Sequence, residues 1–185
     1  MSASPELPSA KAALRRLMRA QLQAASERRE ESSRALLAQI QSHPAWACAS
    51  TVALFAPLPE EPDLLPLLAH STKRFVFPCV HGSTLLWREA SSPQALHPAP
   101  HPNGRLKEPL DGEWVSLSAL DCLLVPGLAF TTCGRRLGRG GGFYDRTLAA
   151  LGPRAVALGV CFSLQIVETL PAEPHDQTVH CVLHA

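Results

Sequence analysis

The sequence predicts an α/β fold: a single three-layer domain in which helices flank a central, mostly parallel sheet. Short apolar runs typical of strands buried on both faces lie at 52–55, 122–125 and 155–160. Ahead of the first run, leucines recur at the three- and four-residue steps of a helix face. Strands that alternate with helices indicate parallel pairing. Because 185 residues match the size of one domain, we expect residues 1–185 to form a single domain.

Two helices are predicted within residues 10–42, because apolar residues recur at helical spacing on both sides of Ser26. Residues 26–30 resemble a helix cap and first turn, and Pro44 ends the second helix. A short helix is predicted over 64–69, where an early proline is tolerated.

Further strands are predicted at 75–77 and 85–87. The segment 91–112 contains five prolines and is predicted to be a connecting loop. The remaining predicted elements are two helices and a last strand, over 144–151, 163–170 and 179–183.

Composition argues against several classes of partner and location. The chain carries 17 Lys and Arg against 16 Asp and Glu, and it has only one Tyr and three Trp. Such a near-neutral, aromatic-poor chain is not expected to bind nucleic acid or an anionic membrane. Its apolar runs are shorter than the ~18 residues of a membrane span. Residues 1–8 lack the features of a secretory signal, so we expect a cytoplasmic protein.

The six cysteines form no Cys-x-x-Cys pair, which argues against a zinc ribbon or a thioredoxin-like centre. Cys133, beside a glycine-rich segment, is the expected exposed thiol. No base is tied to it by spacing, which disfavours a nucleophilic role. The other cysteines in apolar runs are predicted to be small buried side chains: Cys79, Cys122, Cys161 and Cys181.

Five glycines and three arginines lie within residues 134–142, between the strand at 122–125 and the helix at 144–151. A strand, a glycine-rich turn and a helix start present backbone N–H groups to phosphate, and arginine adds fork-shaped donors. The segment is not a Walker A loop, because no Gly-Lys-Ser/Thr closes it. It is not a clean dinucleotide fingerprint either, because Phe143 replaces the third small residue. On composition alone, a flexible surface loop stays an alternative.

The exact order of residues in this region says more about the family of the protein. Two segments stand close together: Pro-Gly-Leu-Ala-Phe at 126–130 and Gly-Arg-Arg-Leu-Gly-Arg-Gly-Gly-Gly-Phe-Tyr-Asp-Arg at 134–146. Together they resemble the signature of the 5-formyltetrahydrofolate cyclo-ligase family, also called methenyltetrahydrofolate synthetase. Other segments resemble that family in chain order: 10–15, 55–61, 73–78, Glu108-Pro109 and His175-Asp176.

The resemblance implies ATP- and Mg²⁺-dependent cyclisation of 5-formyltetrahydrofolate to 5,10-methenyltetrahydrofolate, with release of ADP and phosphate, in one-carbon metabolism. The formyl oxygen would attack the γ-phosphorus to give an imino-phosphate. The N10 amine would then attack the activated carbon, and phosphate would leave as the ring closes. The expected partners are the small molecules 5-formyltetrahydrofolate and ATP, and the protein is expected to be a monomer.

The resemblance also implies site residues. Three cations would be catalytic: Lys11, Arg136 and Arg139. The nucleotide would be bound by Lys11, Arg15, Arg136, Leu137, Gly138, Arg139, Gly140, Gly141, Gly142, Phe143 and Tyr144. The folate would be bound by Ala56, Glu61, Arg139, Gly140, Gly141, Gly142 and Phe143. Magnesium would be bound by Asp145 and Asp176.

Each residue type has a plainer interpretation. Lys11 and Arg15 are four apart and would form a solvated basic helix face. An Asp opening a helix, such as Asp145, is commonly just a favourable first-turn charge. Glu61 lies in a Pro-Glu-Glu-Pro loop and would be an ordinary surface residue, while Phe143 and Tyr144 would anchor their helix in the core.

Two loops depart from the family pattern. Thr131 replaces an Asp common after the Pro-Gly-Leu-Ala-Phe motif, and 104–106 (Gly-Arg-Leu) replace an aromatic-Gly-Ile sequence. Gly141 stands where many relatives carry Lys. Because these changes affect substrate fit more than fold, one alternative is a non-catalytic folate- or nucleotide-binding module. Another is a sugar-phosphate isomerase or transferase on a similar sheet, which would not need ATP.

Overall fold

The computed structural model describes residues 6–70, 72–100 and 105–185, with residues 6–9 described by their backbone alone. Four α-helices lie in these residues: α1 (Glu6–Ala24), α2 (Arg29–Ser42), α3 (Pro44–Cys48) and α4 (Phe143–Ala149). The strands are β1 (Thr51–Ala53), β2 (Arg74–His81), β3 (Thr84–Glu89), β4 (Leu96–Pro98), β5 (Lys107–Pro109), β6 (Trp114–Val115), β7 (Cys122–Val125), β8 (Ala129–Phe130), β9 (Arg136–Leu137), β10 (Val156–Cys161) and β11 (Cys181–His184).

The central sheet has seven strands in the order β11-β10-β7-β1-β2-β3-β6. The first five pair in parallel, while β3 and β6 are antiparallel, so the predicted mostly parallel sheet is confirmed. Two small antiparallel pairs, β4–β5 and β8–β9, stand apart from it. All four residues of β7 are fully buried, as expected for a strand with both faces covered.

Helices cover both faces of the sheet. Alternate side chains along β7 belong to two different hydrophobic clusters, because successive side chains of a strand point to opposite faces. Leu124 packs in the cluster that contains Met18 of α1 and Leu36 of α2. Leu123 packs in the cluster that Leu148 of α4 covers. The predicted three-layer α/β architecture is therefore confirmed.

Some predicted elements differ. The helix predicted over 163–170 is only a 3₁₀ turn at Ser163–Gln165. Ile166 instead forms a parallel bridge to Phe130, whose carbonyl accepts a hydrogen bond from the N–H of Val167, so tertiary pairing overrides helical periodicity. The segment 64–69 is likewise 3₁₀, over Leu65–Ala69.

The described parts of the proline-rich segment are not only loop, because β4 and β5 pair antiparallel within it. Residues 101–104, which include the Gly104 departure, lie outside the described residues. The second helix begins after Arg28, with no side-chain cap bond, two residues beyond the predicted cap at Ser26.

Within the described residues, no helix is long and apolar enough to cross a membrane.

Candidate functional site

The candidate site lies beyond the carboxyl ends of β1 and β7, where a parallel sheet typically binds its ligands. After β7 the chain runs through the β8–β9 hairpin into the glycine loop, which we define as residues 134–142, and then into α4. Gly142 adopts φ +66° at the N-terminus of α4, a left-handed conformation that favours glycine. Gly127 leaves room for the ring of Phe130, which lies 2.7 Å from where a Cβ would stand.

A cavity of about 750 Å³ opens beside this loop. That volume is in the range of small-molecule sites. It is lined by the loop after β1, residues 126–127 after β7, and the glycine loop with the start of α4. Side chains of β2 and β3, residues 105–108 and Arg19 of α1 complete the lining. Ten residues predicted from the sequence line it: Ala56, Glu61, Arg136, Gly138, Arg139, Gly141, Gly142, Phe143, Tyr144 and Asp145.

Five predicted residues do not line this cavity in the described structure: Lys11, Arg15, Leu137, Gly140 and Asp176. Arg15 contacts the glycine loop from outside, because its Nε donates a hydrogen bond to the Gly138 carbonyl at 3.0 Å. The Leu137 side chain packs in the core and is 2% exposed, so only its backbone could meet a nucleotide.

Arg136 is a buried cation with one carboxylate partner. Its Nη2 donates to Asp145 at 2.9 Å, and the two side chains are 3% and 18% exposed. Among the described residues, no atom accepts a hydrogen bond from its buried Nε. The absence of a side chain at Gly138 makes room for its Nη1, which lies 2.7 Å from a Cβ there. A buried guanidinium with a free donor suits an anion such as phosphate.

Lys11 is held between two carboxylates near the other end of the chain. Its Nζ lies 2.5 Å from Glu173 and 2.7 Å from Asp176, and the residue is 4% exposed. Burial lowers the pKa of Lys11, but hydrogen bonds and charge from Asp176 and Glu173 outweigh it, leaving that pKa above its ordinary value. Burial raises the pKa of Asp176, but the Lys11 and Glu173 hydrogen bonds more than reverse this, leaving that pKa below its ordinary value.

The carboxylates around Lys11 converge on a cation position. Donor atoms of Glu173, His175 and Asp176 lie within 4.8 Å of one another, close enough to hold a metal ion. The carboxylates of Glu173 and Asp176 are oxygen ligands of the kind that Mg²⁺ prefers, and in the structure the Lys11 ammonium lies between them. Asp145 is not in this group, but its carboxylate accepts the backbone N–H of Gln177 at 3.4 Å, next to Asp176.

Glu61 and Arg139 form an ion pair that lines the cavity. The Nε and Nη2 of Arg139 both donate to Oε1 of Glu61, at 3.1 and 2.7 Å. Oε2 of Glu61 accepts the backbone N–H of Leu58 at 3.0 Å. The Glu61 side chain is 7% exposed, so it is a fixed cavity group and not the ordinary surface residue of the plainer interpretation.

Phe143 and Tyr144 both line the cavity, yet they are anchored differently. Tyr144 also packs in the second hydrophobic cluster, where burial, and then the Glu61 charge, raise the pKa of its hydroxyl. Arg146 lies over the Phe143 ring, 5.4 Å from its centroid. A Cβ at Gly141 would stand 2.8 Å from that ring, so glycine there makes room for Phe143.

Several site residues escaped the sequence analysis. Arg19, Arg105 and Glu108 line the cavity, Glu60 pairs with its Arg139, and Glu173 pairs with Lys11 outside it. Glu60 and Glu173 carried a weak signal, since each lies within three residues of a predicted carboxylate. Glu108 was part of the Glu108-Pro109 resemblance and Arg105 part of the 104–106 departure, but neither was given a role, and Arg19 lies in no motif.

Thr131, one of the departures, does not line the cavity in the described structure. It is 2% exposed, and its hydroxyl accepts a hydrogen bond from the Arg135 backbone N–H at 3.1 Å. Its other hydroxyl contact is the exposed Cys133 thiol at 3.1 Å. Thr131 therefore stabilises the β8–β9 turn.

Known proteins resemble this chain in sequence and in fold. A model of the 5-formyltetrahydrofolate cyclo-ligase family matches residues 8–185. The 5-formyltetrahydrofolate cyclo-ligase of Escherichia coli K12 is 34% identical over 163 residues, which cover 81% of this chain and 86% of that protein. The cyclo-ligase of Mycolicibacterium smegmatis is 43% identical over 68 residues, which cover 37% of this chain and 35% of that protein.

Among solved structures, the 5,10-methenyltetrahydrofolate synthetase of Aquifex aeolicus superposes with a TM-score of 0.81 at 30% identity. The match covers 94% of this chain and 89% of that one. Because the family match extends over nearly the whole sequence and the fold agrees with it, this chain belongs to the 5-formyltetrahydrofolate cyclo-ligase family.

Proposed function

We propose that this chain converts 5-formyltetrahydrofolate to 5,10-methenyltetrahydrofolate, with ATP consumed to ADP and phosphate and with Mg²⁺ as cofactor. Membership of the cyclo-ligase family supports the reaction. The observation that carries the proposal is a cavity lined both by Arg136 and Arg139 of the glycine loop and by Glu61, which Arg139 contacts. The residues proposed to bind phosphate and those proposed to bind folate thus lie in the same cavity.

The phosphate end of the site would be built from cations and backbone donors. Arg136 lines the cavity as a cation, and the loop from Gly138 to Gly142 leaves its backbone accessible because it has few side chains. Lys11 and Arg15 would add charge from α1. Phosphoryl transfer depends mainly on positioning and charge neutralisation, so this set needs no nucleophilic side chain.

The metal end would use Asp145 and Asp176. In the structure each of these carboxylates is paired with a cation that we assign to phosphate, Arg136 and Lys11 respectively. When phosphates bind, the two cations would exchange their carboxylate partners for phosphate oxygens, which frees the carboxylates for Mg²⁺. Bound there, Mg²⁺ would neutralise charge on the phosphates.

The folate end would use Glu61, Ala56 and Phe143. The Glu61 carboxylate accepts hydrogen bonds, and a pterin edge is rich in N–H donors. Ala56 and Phe143 offer apolar surface in the same cavity. Held in this way, the formyl oxygen would point toward the γ-phosphate, attack it, and turn a poor leaving oxygen into a good one before N10 closes the ring.

The test is a spectrophotometric assay for the methenyl product with purified protein, 5-formyltetrahydrofolate and Mg²⁺, with and without ATP. We expect product only with ATP. Arg136→Gln should abolish it, whereas Arg74→Gln, in a surface ion pair with Glu89, should not. Absence of product with calorimetric ATP binding retained would indicate the non-catalytic binding module instead. Family membership leaves the sugar-phosphate isomerase without support.

We further propose that residues 1–185 act as one domain and a monomer in the cytoplasm, with small-molecule partners alone. The near-neutral charge, which provides no electrostatic attraction to nucleic acid, supports this proposal. Sedimentation velocity at several protein concentrations tests the monomer, since a dimer would sediment faster as concentration rises.

A further inference from the structure

Glu60, the neighbour of Glu61, is a buried carboxylate that both the sequence analysis and the family resemblance leave without a role. It is 8% exposed, and both of its oxygens are engaged. Oε1 accepts from Nη1 of Arg139 at 3.2 Å, and Oε2 accepts from Nη2 of Arg105 at 2.5 Å. A carboxylate buried to this extent is costly unless its charge is paired.

The charge state of Glu60 agrees with this pairing. Burial raises its pKa, but its own backbone N–H and the guanidinium groups of Arg139 and Arg105 outweigh burial, so the pKa is lowered. Glu60 is therefore ionised at neutral pH. Four charges of alternating sign, Arg105, Glu60, Arg139 and Glu61, follow one another along the cavity wall.

Arg139 is shared between the two glutamates. It donates twice to one oxygen of Glu61, which has about two acceptor directions. The other oxygen of Glu61 accepts the Leu58 N–H. Of the roughly four acceptor directions of this carboxylate only one is left, so a folate edge that donates two hydrogen bonds to Glu61 must displace one Arg139 donor. Arg139 would then lose part of its counter-charge unless a second carboxylate holds it.

We propose that Glu60 is the positioning residue that retains Arg139 on the cavity wall, so that Glu61 is released to accept hydrogen bonds from the folate. This inference rests on the proposed function. Glu60 need not touch the substrate, since it acts through Arg139. Arg105, half exposed and carried on the segment before β5, fixes the other Glu60 oxygen and with it the direction of the carboxylate.

The test compares Glu60→Gln with wild type in two measurements: calorimetric binding of 5-formyltetrahydrofolate and steady-state kinetics. Losing one charge-assisted hydrogen bond to Arg139 should raise the folate Kd and KM about tenfold. That tenfold change corresponds to about 1.4 kcal/mol of binding free energy. The KM for ATP and kcat should change by less than about twofold. The matched control is Glu113→Gln, an 80% exposed partner of Arg74, which should leave all four constants unchanged.

A double-mutant cycle separates positioning from mere structure. With Arg139→Ala already present, Glu60→Gln should add no further loss of folate binding, because the residue through which it acts is gone. Equal effects with and without Arg139 would overturn the proposal, as would equal rises in the two KM values. If Glu60→Gln alone does not fold, Glu60→Gln with Arg105→Gln removes a pair of opposite charges and carries the same expectation.

The binding measurement keeps the two proposals distinguishable. Wild-type protein that binds 5-formyltetrahydrofolate but forms no product refutes the proposed reaction, while a raised Kd in Glu60→Gln still supports the positioning role. Normal turnover with an unchanged folate Kd and KM in Glu60→Gln refutes the positioning role alone. Wild-type protein that binds no folate refutes both.

Discussion

Replacing Asp145 by asparagine keeps its shape and removes the carboxylate that pairs with Arg136. The Arg136 side chain is 3% exposed, and its next acceptor, the Pro126 carbonyl, is 3.5 Å away. Breaking a buried ion pair from one side costs about 3–5 kcal/mol. Because Asp145 keeps 18% exposure, we expect the lower end, about 3 kcal/mol. At about 2–4 °C per kcal/mol, the melting temperature should fall by about 6–12 °C.

Thermal unfolding followed by circular dichroism measures this difference. ATP without Mg²⁺ should stabilise Asp145→Asn more than wild type, because phosphate supplies the anion that Arg136 lacks. The control is Glu30→Gln, which removes an exposed helix pair with Arg34 and should leave the melting temperature nearly unchanged. If Asp145→Asn melted within about 1 °C of wild type, well inside the shift expected for one kcal/mol, the buried-pair argument would be wrong.

Three further predictions concern other residues of the structure. Glu61→Gln should raise the KM for 5-formyltetrahydrofolate about tenfold and that for ATP far less, since one charged acceptor is lost; the reverse order would place Glu61 at the nucleotide. The pKa of Asp176 lies below its ordinary 3.8, so its contribution to unfolding free energy is complete above 3.8 and lost as pH falls through the lower folded value. Urea unfolding should show that the unfolding free energy decreases less between pH 6 and pH 3 in Asp176→Asn than in wild type. Equal decreases would contradict the ion pair. Iodoacetamide should label Cys133 first, because it is exposed and a Thr131 hydrogen bond lowers its pKa, whereas burial raises the pKa of Cys122 to about 12. Mass spectrometry that found Cys122 labelled first would contradict the burial of β7.

The sequence predicted the central strands well because their signal is local. The run 122–125 is apolar at every position, and a strand covered on both faces requires that pattern. The segment 163–170 was predicted wrongly for the opposite reason. Its periodicity suits a helix, but pairing of Ile166 with Phe130, 36 residues earlier, decides its conformation. No local pattern encodes such a partner.

The same distinction holds for the candidate site. The glycine loop, Asp145 and Glu61 belong to recognisable sequence motifs, and the structure brings residues of all three to one cavity. Their partners were not predictable, because Arg105 and Glu60 are 45 residues apart in the sequence and meet only in the fold. The buried state of Arg136 also escaped prediction, since it depends on packing around the glycine loop.

The Lys11 ion pair joins residues 165 positions apart. Contacts of such separation carry the largest loop-closure entropy and are expected to form late, after the sheet between them has assembled. During synthesis, Lys11 emerges long before its counter-charges are made. The cation of α1 therefore acquires its partners only when the final strand region has been produced and docked, which makes this pair a marker of completed folding.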